Sequence, residues 1–226
     1  QGLENFVISG QISLINNPLL TSLNGLQGLN SINGSLILDG NPSLQSLSGL
    51  NNLASLGTLS LANNNNLSNL GGLGNLASLG KLILSGSTNN IFTLNGLTGL
   101  NTISDLTLVN LTGLKNLAGL ENIAVKGNVY IEQNASLENL NGMQGSTILN
   151  QLYLSQNPAL TSLTGLENVT TIWDGIRIFD NPLLADLNGL NNLKTLRHDV
   201  FIFGNSSLSD CSAYGLCLFI NDPPQP

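Results

Sequence analysis

Residues 10–33 read GQISLINNPLLTSLNGLQGLNSIN, and residues 34–56 read GSLILDGNPSLQSLSGLNNLASL. The two segments match at almost every apolar and asparagine position, and the same frame restarts seven more times. Those starts are Gly57, Gly80, Ser104, Gly127, Asn150, Asp174 and His198, and successive starts lie 24, 23, 23, 24, 23, 23, 24 and 24 residues apart. A fixed period of this length indicates a solenoid in which each unit forms one turn. The sequence therefore predicts about nine turns of 23–24 residues.

Each unit carries two apolar patterns. Its third and fifth residues are apolar with polar neighbours, as at Leu36 and Leu38, and this alternation is typical of a β-strand. A second series then follows at three-residue steps, at Leu44, Leu47, Leu50, Leu53 and Leu56. A coil with asparagine and glycine at its corners can point both series inward. We therefore expect about seven core side chains from each turn.

A helix is the competing interpretation of the three-residue steps. Segments such as NGLNNLKTL (188–196) and GGLGNLASLG (71–80), however, place glycine and asparagine at interior positions. Each of these residues lowers helix stability at such a position. The sequence thus favours short strands and bends, with single 3-10 turns.

Asparagine recurs at the eighth position of the unit. It occupies this position in seven of the nine units, namely Asn17, Asn41, Asn64, Asn134, Asn157, Asn181 and Asn205, while Ser87 and Leu111 replace it in the other two. A polar side chain that recurs beside core leucines must satisfy its amide, and stacked turns allow each amide to bond to the backbone of the next turn's corner. We therefore predict a structural asparagine ladder.

The segment INGSLILDGNPSLQSLSGLNNLASLGTLSL (32–61) resembles the receptor L domain, the repeat of insulin- and EGF-receptor ectodomains that also occurs in fungal wall glycoproteins and bacterial secreted proteins. The pattern L-x-L-x-x-N-P-x-L-x-S-L-x-G-L-x-x-L-x-x-I covers roughly residues 2–210. The resemblance implies an all-β fold, a right-handed single-stranded β-helix or leucine-rich solenoid. Receptor L domains usually have fewer turns and several cysteines at their ends, so this regular chain is more similar to the bacterial secreted members, and hormone binding is not carried over.

The two cysteines, Cys211 and Cys217, fall at core leucine positions of the last turn. A disulfide between them would tie down a final coil that has no following turn, and two buried free thiols are the alternative. We therefore predict one domain over residues 1–220, with a cysteine-linked cap at about 205–220. The polar, proline-rich residues 221–226 are predicted to be a linker or tail that leads to adjacent domains of a larger chain.

Composition excludes several classes of function. Only 8% of residues are charged, the net charge is −7, and the six basic residues are scattered, so a nucleic-acid partner is not expected. No apolar run approaches the roughly 18 residues that a membrane span needs. The acidic residues lack the spacing of calcium loops, and no nucleophile pattern accompanies His198. We expect no metal, no cofactor and no catalytic activity.

Outward-facing strand positions offer one candidate binding surface. The fourth residues of the units become large toward the C-terminus, and two sixth residues join them. The candidate strip consists of Tyr130, Tyr153, Arg177, Phe179, Phe201 and Phe203. Exposed aromatic residues and arginine are typical of interface hot spots. Two alternatives are cross-strand stacking that only stabilises the sheet, and burial beneath a neighbouring domain.

These observations predict an extracellular recognition or adhesion module, secreted or on the cell surface, that binds a protein or carbohydrate ligand. A second hypothesis is ice binding, because hydroxyl residues recur in columns. They are Ser31, Ser55, Ser78, Thr102, Thr171 and Thr195, with Thr21, Ser68 and Thr161 in another column, and the first is broken at Val125 and Ile148. A third hypothesis is a structural fibre or stalk segment.

Overall fold

A computed structural model describes residues 6–86 and 91–210 of the chain. Twelve β-strands form one sheet in the described residues, and the pairings between them are parallel. The strands are β1 (Phe6–Ile8), β2 (Ile12–Ile15), β3 (Leu29–Asp39), β4 (Ser55–Ala62), β5 (Ser78–Ser85), β6 (Thr102–Val109), β7 (Ala124–Val125), β8 (Asn128–Glu132), β9 (Ile148–Ser155), β10 (Thr171–Phe179), β11 (Thr195–Leu196) and β12 (Val200–Phe203). Helical structure in these residues is limited to the 3-10 turns Asn24–Leu26, Ser48–Leu50, Met143–Gly145 and Asn188–Leu190.

The molecule is a β-solenoid of about eight turns, which confirms the predicted fold class. The count is one lower than predicted because the unit that starts at His198 continues past residue 210, outside the described residues. The short 3-10 turns agree with the expectation that the three-residue leucine steps are not α-helical.

The strands are longer than the alternation alone predicts, because the chain bends without leaving the sheet. In β3 the pairing with β4 slips between Ile32 and Ser35, and in β10 the pairing with β9 slips between Ile172 and Gly175. At the same corner of other turns the strand is interrupted, between β7 and β8 and between β11 and β12. The sheet thus has a first half, before this corner, and a second half after it.

The core is a column of leucines. One turn contributes Leu36, Leu38, Leu44, Leu47, Leu50, Leu53 and Leu56, each at most 1% exposed. Complete burial of one leucine stabilises the fold by roughly 1.5–3 kcal/mol. At the N-terminal end Ile12 and Leu14, which have no preceding turn in the described residues, are only partly buried. Burial of each turn therefore depends on its neighbours.

The asparagine ladder is present at the corner after the second half of the sheet. Asn41 Oδ1 accepts the N–H of Asn17 at 3.1 Å, and Asn41 Nδ2 donates to the Leu14 carbonyl at 2.8 Å. The same pair of bonds is made by Asn64, Asn134, Asn157, Asn181 and Asn205. The predicted direction was wrong, because the free N–H and the free carbonyl that one amide needs both lie on the preceding turn.

Several of the predicted features fall outside the described residues. Cys211 and Cys217 are among them, as is most of the predicted cap at 205–220 and all of the tail at 221–226. The ladder position Ser87 also lies outside. Leu111 is described, and its buried side chain replaces an asparagine there while its N–H still donates to Asn134 Oδ1 at 2.9 Å.

Candidate recognition surface

The second half of the sheet presents columns of side chains to the outside. Parallel pairing without slippage aligns the fourth residues of successive units, so the residue types can be followed from turn to turn. This column runs Ser13, Ile37, Ser60, Ile83, Thr107, Tyr130, Tyr153, Arg177 and Phe201. The sixth-position column ends with Phe179 beside Phe203. Large side chains are therefore concentrated on the last four turns.

The six predicted site residues lie together and form what we call the aromatic strip: Tyr130, Tyr153, Arg177, Phe179, Phe201 and Phe203. Tyr130 and Tyr153 stack with ring centroids 4.2 Å apart and an interplanar angle of 11°. Tyr153 meets Phe179 edge to face at 5.3 Å, and Phe179 stacks on Phe203 at 4.8 Å and 7°. Four of the six side chains thus form a continuous chain of ring contacts across β8, β9, β10 and β12.

Exposure of the strip rises toward the C-terminus. Tyr130, Tyr153 and Phe179 are partly buried by their neighbours, whereas Phe201 is 45% and Phe203 56% exposed. Water-facing aromatic rings of this size are costly unless a partner covers them. The end of the strip at β12 is therefore the part that is open to a ligand.

The ring orientations limit which ligands fit. Tyr130 and Tyr153 turn faces toward each other, as do Phe179 and Phe203, so each of these four rings has one face covered by its partner. A sugar ring packs best on an open aromatic face. The strip therefore offers fewer open faces to stacked sugars than a row of unpaired rings would.

A carboxylate anchors the N-terminal end of the strip. The Tyr130 hydroxyl donates to Glu132 Oε2 at 2.7 Å, and Ser155 Oγ donates to Glu132 Oε1 at 3.2 Å. Burial, the hydrogen bond to Glu132 and the neighbouring Tyr153 together raise the pKa of Tyr130 above its ordinary value. Tyr130 therefore stays a neutral donor, and its hydroxyl is already engaged within the protein.

Sequence reasoning did not find a second aromatic feature, at the corner between the two halves of the sheet. Trp173, the only tryptophan, is 39% exposed, and the Arg197 guanidinium carbon lies 4.3 Å from the centre of its ring. A similar contact places Arg177 5.5 Å from the ring centre of Phe201. The signal available in the sequence was the extra residue of this unit, which falls at Trp173 and forms the bulge before Gly175.

The hydroxyl column of the first half of the sheet is interrupted at two turns. The strand register places Ala124, not Val125, beside Thr102, because the chain between these two strands is one residue shorter than the period predicts. Val125 points into the core. Ile148 is 43% exposed and stands in the column beside Thr171, as the sequence indicated. Ser31 Oγ also donates to Asn33 Oδ1 at 3.1 Å, so that hydroxyl is engaged locally.

The second-position column carries one charge cluster, in which Lys81 is exposed and Asp105 is partly buried. Lys81 Nζ lies 2.9 Å from Asp105 Oδ2, and the backbone N–H of Asn128 donates to Asp105 Oδ1 at 2.8 Å. Burial acts to raise the pKa of Asp105, but the hydrogen bonds from Asn128 and the contact with Lys81 outweigh it and hold that pKa below its ordinary value. The cluster links three successive strands, β5, β6 and β8, and is fully paired.

Within residues 6–86 and 91–210, no group of three or more histidine, cysteine, aspartate or glutamate side chains is placed to hold a metal ion. In the same residues no helix is long and apolar enough to cross a membrane. His198 lies exposed next to Asp199, between β11 and β12.

Comparison with protein-family models finds none that matches this sequence, and comparison with curated proteins finds no match either.

Proposed function

We propose that this chain is a non-catalytic recognition module of an extracellular surface protein, and that it binds a protein ligand through the C-terminal end of the aromatic strip. The exposure of Phe201 and Phe203 carries this proposal. Both rings are held on paired strands of a regular solenoid, so little conformational entropy is lost when a partner covers them. The extracellular location rests on the resemblance to receptor L domains.

Protein is favoured over carbohydrate because Tyr130 with Tyr153 and Phe179 with Phe203 pack face to face, which leaves fewer open ring faces for stacked sugars. Ice binding is the weaker alternative because Ala124 and Ile148 interrupt the hydroxyl column. The alternative explanation, that cross-strand stacking only stabilises the sheet, fits Tyr130 and Tyr153, which are partly buried. It does not account for the exposure of Phe201 and Phe203, which is 45% and 56%.

A binding screen tests this function. The full chain is applied to an array of extracellular protein domains and to a glycan array, alongside a Phe201→Ser/Phe203→Ser double variant. Serine already stands at the equivalent of Phe201 in the first turn, Ser13, so the variant is expected to fold. We expect binding to at least one protein domain, weakened about 30-fold or more in the variant because two central hot-spot rings are lost.

The matched control is Ile15→Ser. Ile15 stands at the sixth position like Phe203 and is 48% exposed, but it lies at the other end of the solenoid. Its replacement should leave protein binding unchanged. Protein binding that the phenylalanine variant retains, or ligands found only on the glycan array, would contradict the proposal.

A further inference from the structure

Both arginines of the chain lie against aromatic rings, and neither forms an ion pair within residues 6–86 and 91–210. Arg197 is 4.3 Å from the Trp173 ring centre and Arg177 is 5.5 Å from that of Phe201. The two ion pairs of the described residues, Lys81 with Asp105 and Lys115 with Glu138, involve neither arginine. No described residue forms a hydrogen bond with either guanidinium group.

An arginine that packs on the face of an aromatic ring can still bind a second partner through hydrogen bonds. The ring holds the guanidinium plane in place by a cation–π contact, while the N–H groups along its edge remain free to donate. A carboxylate can accept two such hydrogen bonds in parallel, and charge-assisted bonds of this kind are among the strongest that proteins make. The two arginines therefore offer two preformed sites for carboxylate groups.

The sheet register sets the separation of these sites. Ile172 pairs with Leu196, which brings Arg197 beside Trp173, and Arg177 pairs with Phe201. Trp173 and Arg177 are four residues apart on β10. At about 3.3 Å for each strand residue, the backbone positions of Trp173 and Arg177 are at most roughly 13 Å apart. An extended peptide spans this distance in four residues and presents its first and fifth side chains on one face.

The surrounding charges argue against a polyanion. Asp174 and Asp199 are both exposed and occupy the corner between the two arginines, and Asp174 accepts a hydrogen bond from Gln151. A phosphate backbone or a sulfated polysaccharide carries closely spaced negative charges that these carboxylates would repel. Two isolated carboxylates on a protein partner bring fewer negative charges near these aspartates and are repelled less.

We propose that Arg177 and Arg197 bind two carboxylate side chains, four residues apart, on an extended acidic segment of the partner protein. Trp173 and Phe201 position the two guanidinium groups for this contact. The inference rests on the proposed function, since it assigns the chemistry of the partner that covers the same end of the solenoid.

The probe is a synthetic peptide that is neutral except for two glutamates four residues apart, compared with the same peptide in which both are glutamine. Because Trp173 is the only tryptophan, its fluorescence reports binding at this corner alone. We expect the glutamate peptide to change this fluorescence in a saturable and salt-sensitive manner, and the glutamine peptide to bind at least about tenfold more weakly.

Variants of the full chain separate the possible causes. Arg197→Gln and Arg177→Gln should each lower the affinity for the glutamate peptide about tenfold. Arg197→Lys should keep only part of the wild-type affinity, because lysine lacks the planar guanidinium group that donates two parallel hydrogen bonds. Lys115→Gln, which alters a distant exposed lysine, is the control and should bind normally. Equal binding of the two peptides, or binding unaffected by both arginine variants, would overturn the inference.

The result is distinguishable from failure of the recognition function itself. If the Phe201→Ser/Phe203→Ser variant loses its protein ligand while the arginine variants keep it, the recognition function stands and the acidic partner does not. If the phenylalanine variant keeps its protein ligand, the recognition surface has been placed wrongly, whatever the peptides do.

Discussion

At the scale of single residues, the ladder asparagines show how one side chain type can hold two turns together. Asn157 is fully buried, accepts the N–H of Asn134 at 3.0 Å and donates to the carbonyl of Ile131 at 3.1 Å. Both partners are backbone groups of the preceding turn, and the Asn134 N–H has no other acceptor among the described residues. An unsatisfied buried group of this kind costs roughly 1–3 kcal/mol.

Replacement of Asn157 by leucine should therefore destabilise the protein even though the space can hold a leucine, as Leu111 shows at the same position. We expect the free energy of unfolding to fall by about 2 kcal/mol, because the Asn134 N–H and the Ile131 carbonyl lose their partner. Urea unfolding followed by circular dichroism measures the change.

The control is Asn17→Leu at the exposed end of the same ladder. Asn17 Nδ2 donates only to Ile15 of its own turn, so the variant should change stability by less than about 0.5 kcal/mol. Equal effects of the two substitutions would show that the hydrogen bonds between turns do not carry the stability assigned to them.

The backbone conformation of the corner residue just before each ladder position could be predicted only in part. Asn16, Asn63 and Asn110 have φ between 53° and 57°, a left-handed conformation that asparagine tolerates better than most residues. Gln133 and Gln156 adopt the same conformation at φ 58° and 54°. Glutamine has no such preference, so local sequence does not predict these two residues. Their conformation follows from their place in the stack.

At the scale of elements, a glycine recurs at the sixteenth position of the unit because neighbouring turns approach closely there. The glycines at this position are Gly25, Gly49, Gly72, Gly119, Gly142, Gly165 and Gly189. A Cβ atom on Gly49 would lie 1.9 Å from the Leu23 carbonyl oxygen, and one on Gly189 would lie 2.2 Å from that of Leu163. The repeated S-L-x-G-L pattern is thus a packing requirement between turns.

Gly49→Ala should consequently lower the free energy of unfolding by about 2 kcal/mol, since the added methyl group forces the 3-10 turn Ser48–Leu50 away from the preceding turn. Gly25→Ala is the matched control. Gly25 lies in the equivalent turn Asn24–Leu26, and its Cβ would meet nothing within 4 Å. Thermal unfolding of both variants measures the difference, and similar melting temperatures would refute the explanation.

At the scale of the whole molecule, stability is a sum over neighbouring turns. The backbone and side-chain contacts between units repeat at 23–27 residues, as the ladder bonds show. An internal unit should therefore be removable as long as the units on either side still match. Gly34, Gly57 and Gly80 start three successive units and pack against each other at the same corner.

Deletion of residues 57–79, one unit of 23 residues, should leave a folded solenoid. We expect the mean residue ellipticity in the circular dichroism spectrum to stay unchanged. The urea m-value should fall by about one-eighth, in proportion to the surface that the protein buries on folding. Deletion of residues 57–68 removes half a turn and places leucines on the outside, so that variant should not fold. A folded half-turn deletion, or an unfolded unit deletion, would contradict a nearest-neighbour solenoid.

The sequence by itself determined the period, the inward leucines and the positions of the ladder asparagines, because each unit makes the same contacts with the next and the repeat displays them. It also placed Tyr130, Tyr153 and Phe201 in one outward column, since strand alternation with a constant period fixes which side chains line up.

Only the tertiary structure decided which turn each asparagine bonds to, which faces of the aromatic rings are covered, and that Ala124 rather than Val125 faces outward. It also brought Arg197 onto Trp173, a contact between residues of neighbouring turns at a bulge. These features depend on bends and on single-residue changes of register that a periodic pattern does not encode. The predicted strip was therefore found where the repeat is regular, and the arginine corner was missed where it is not.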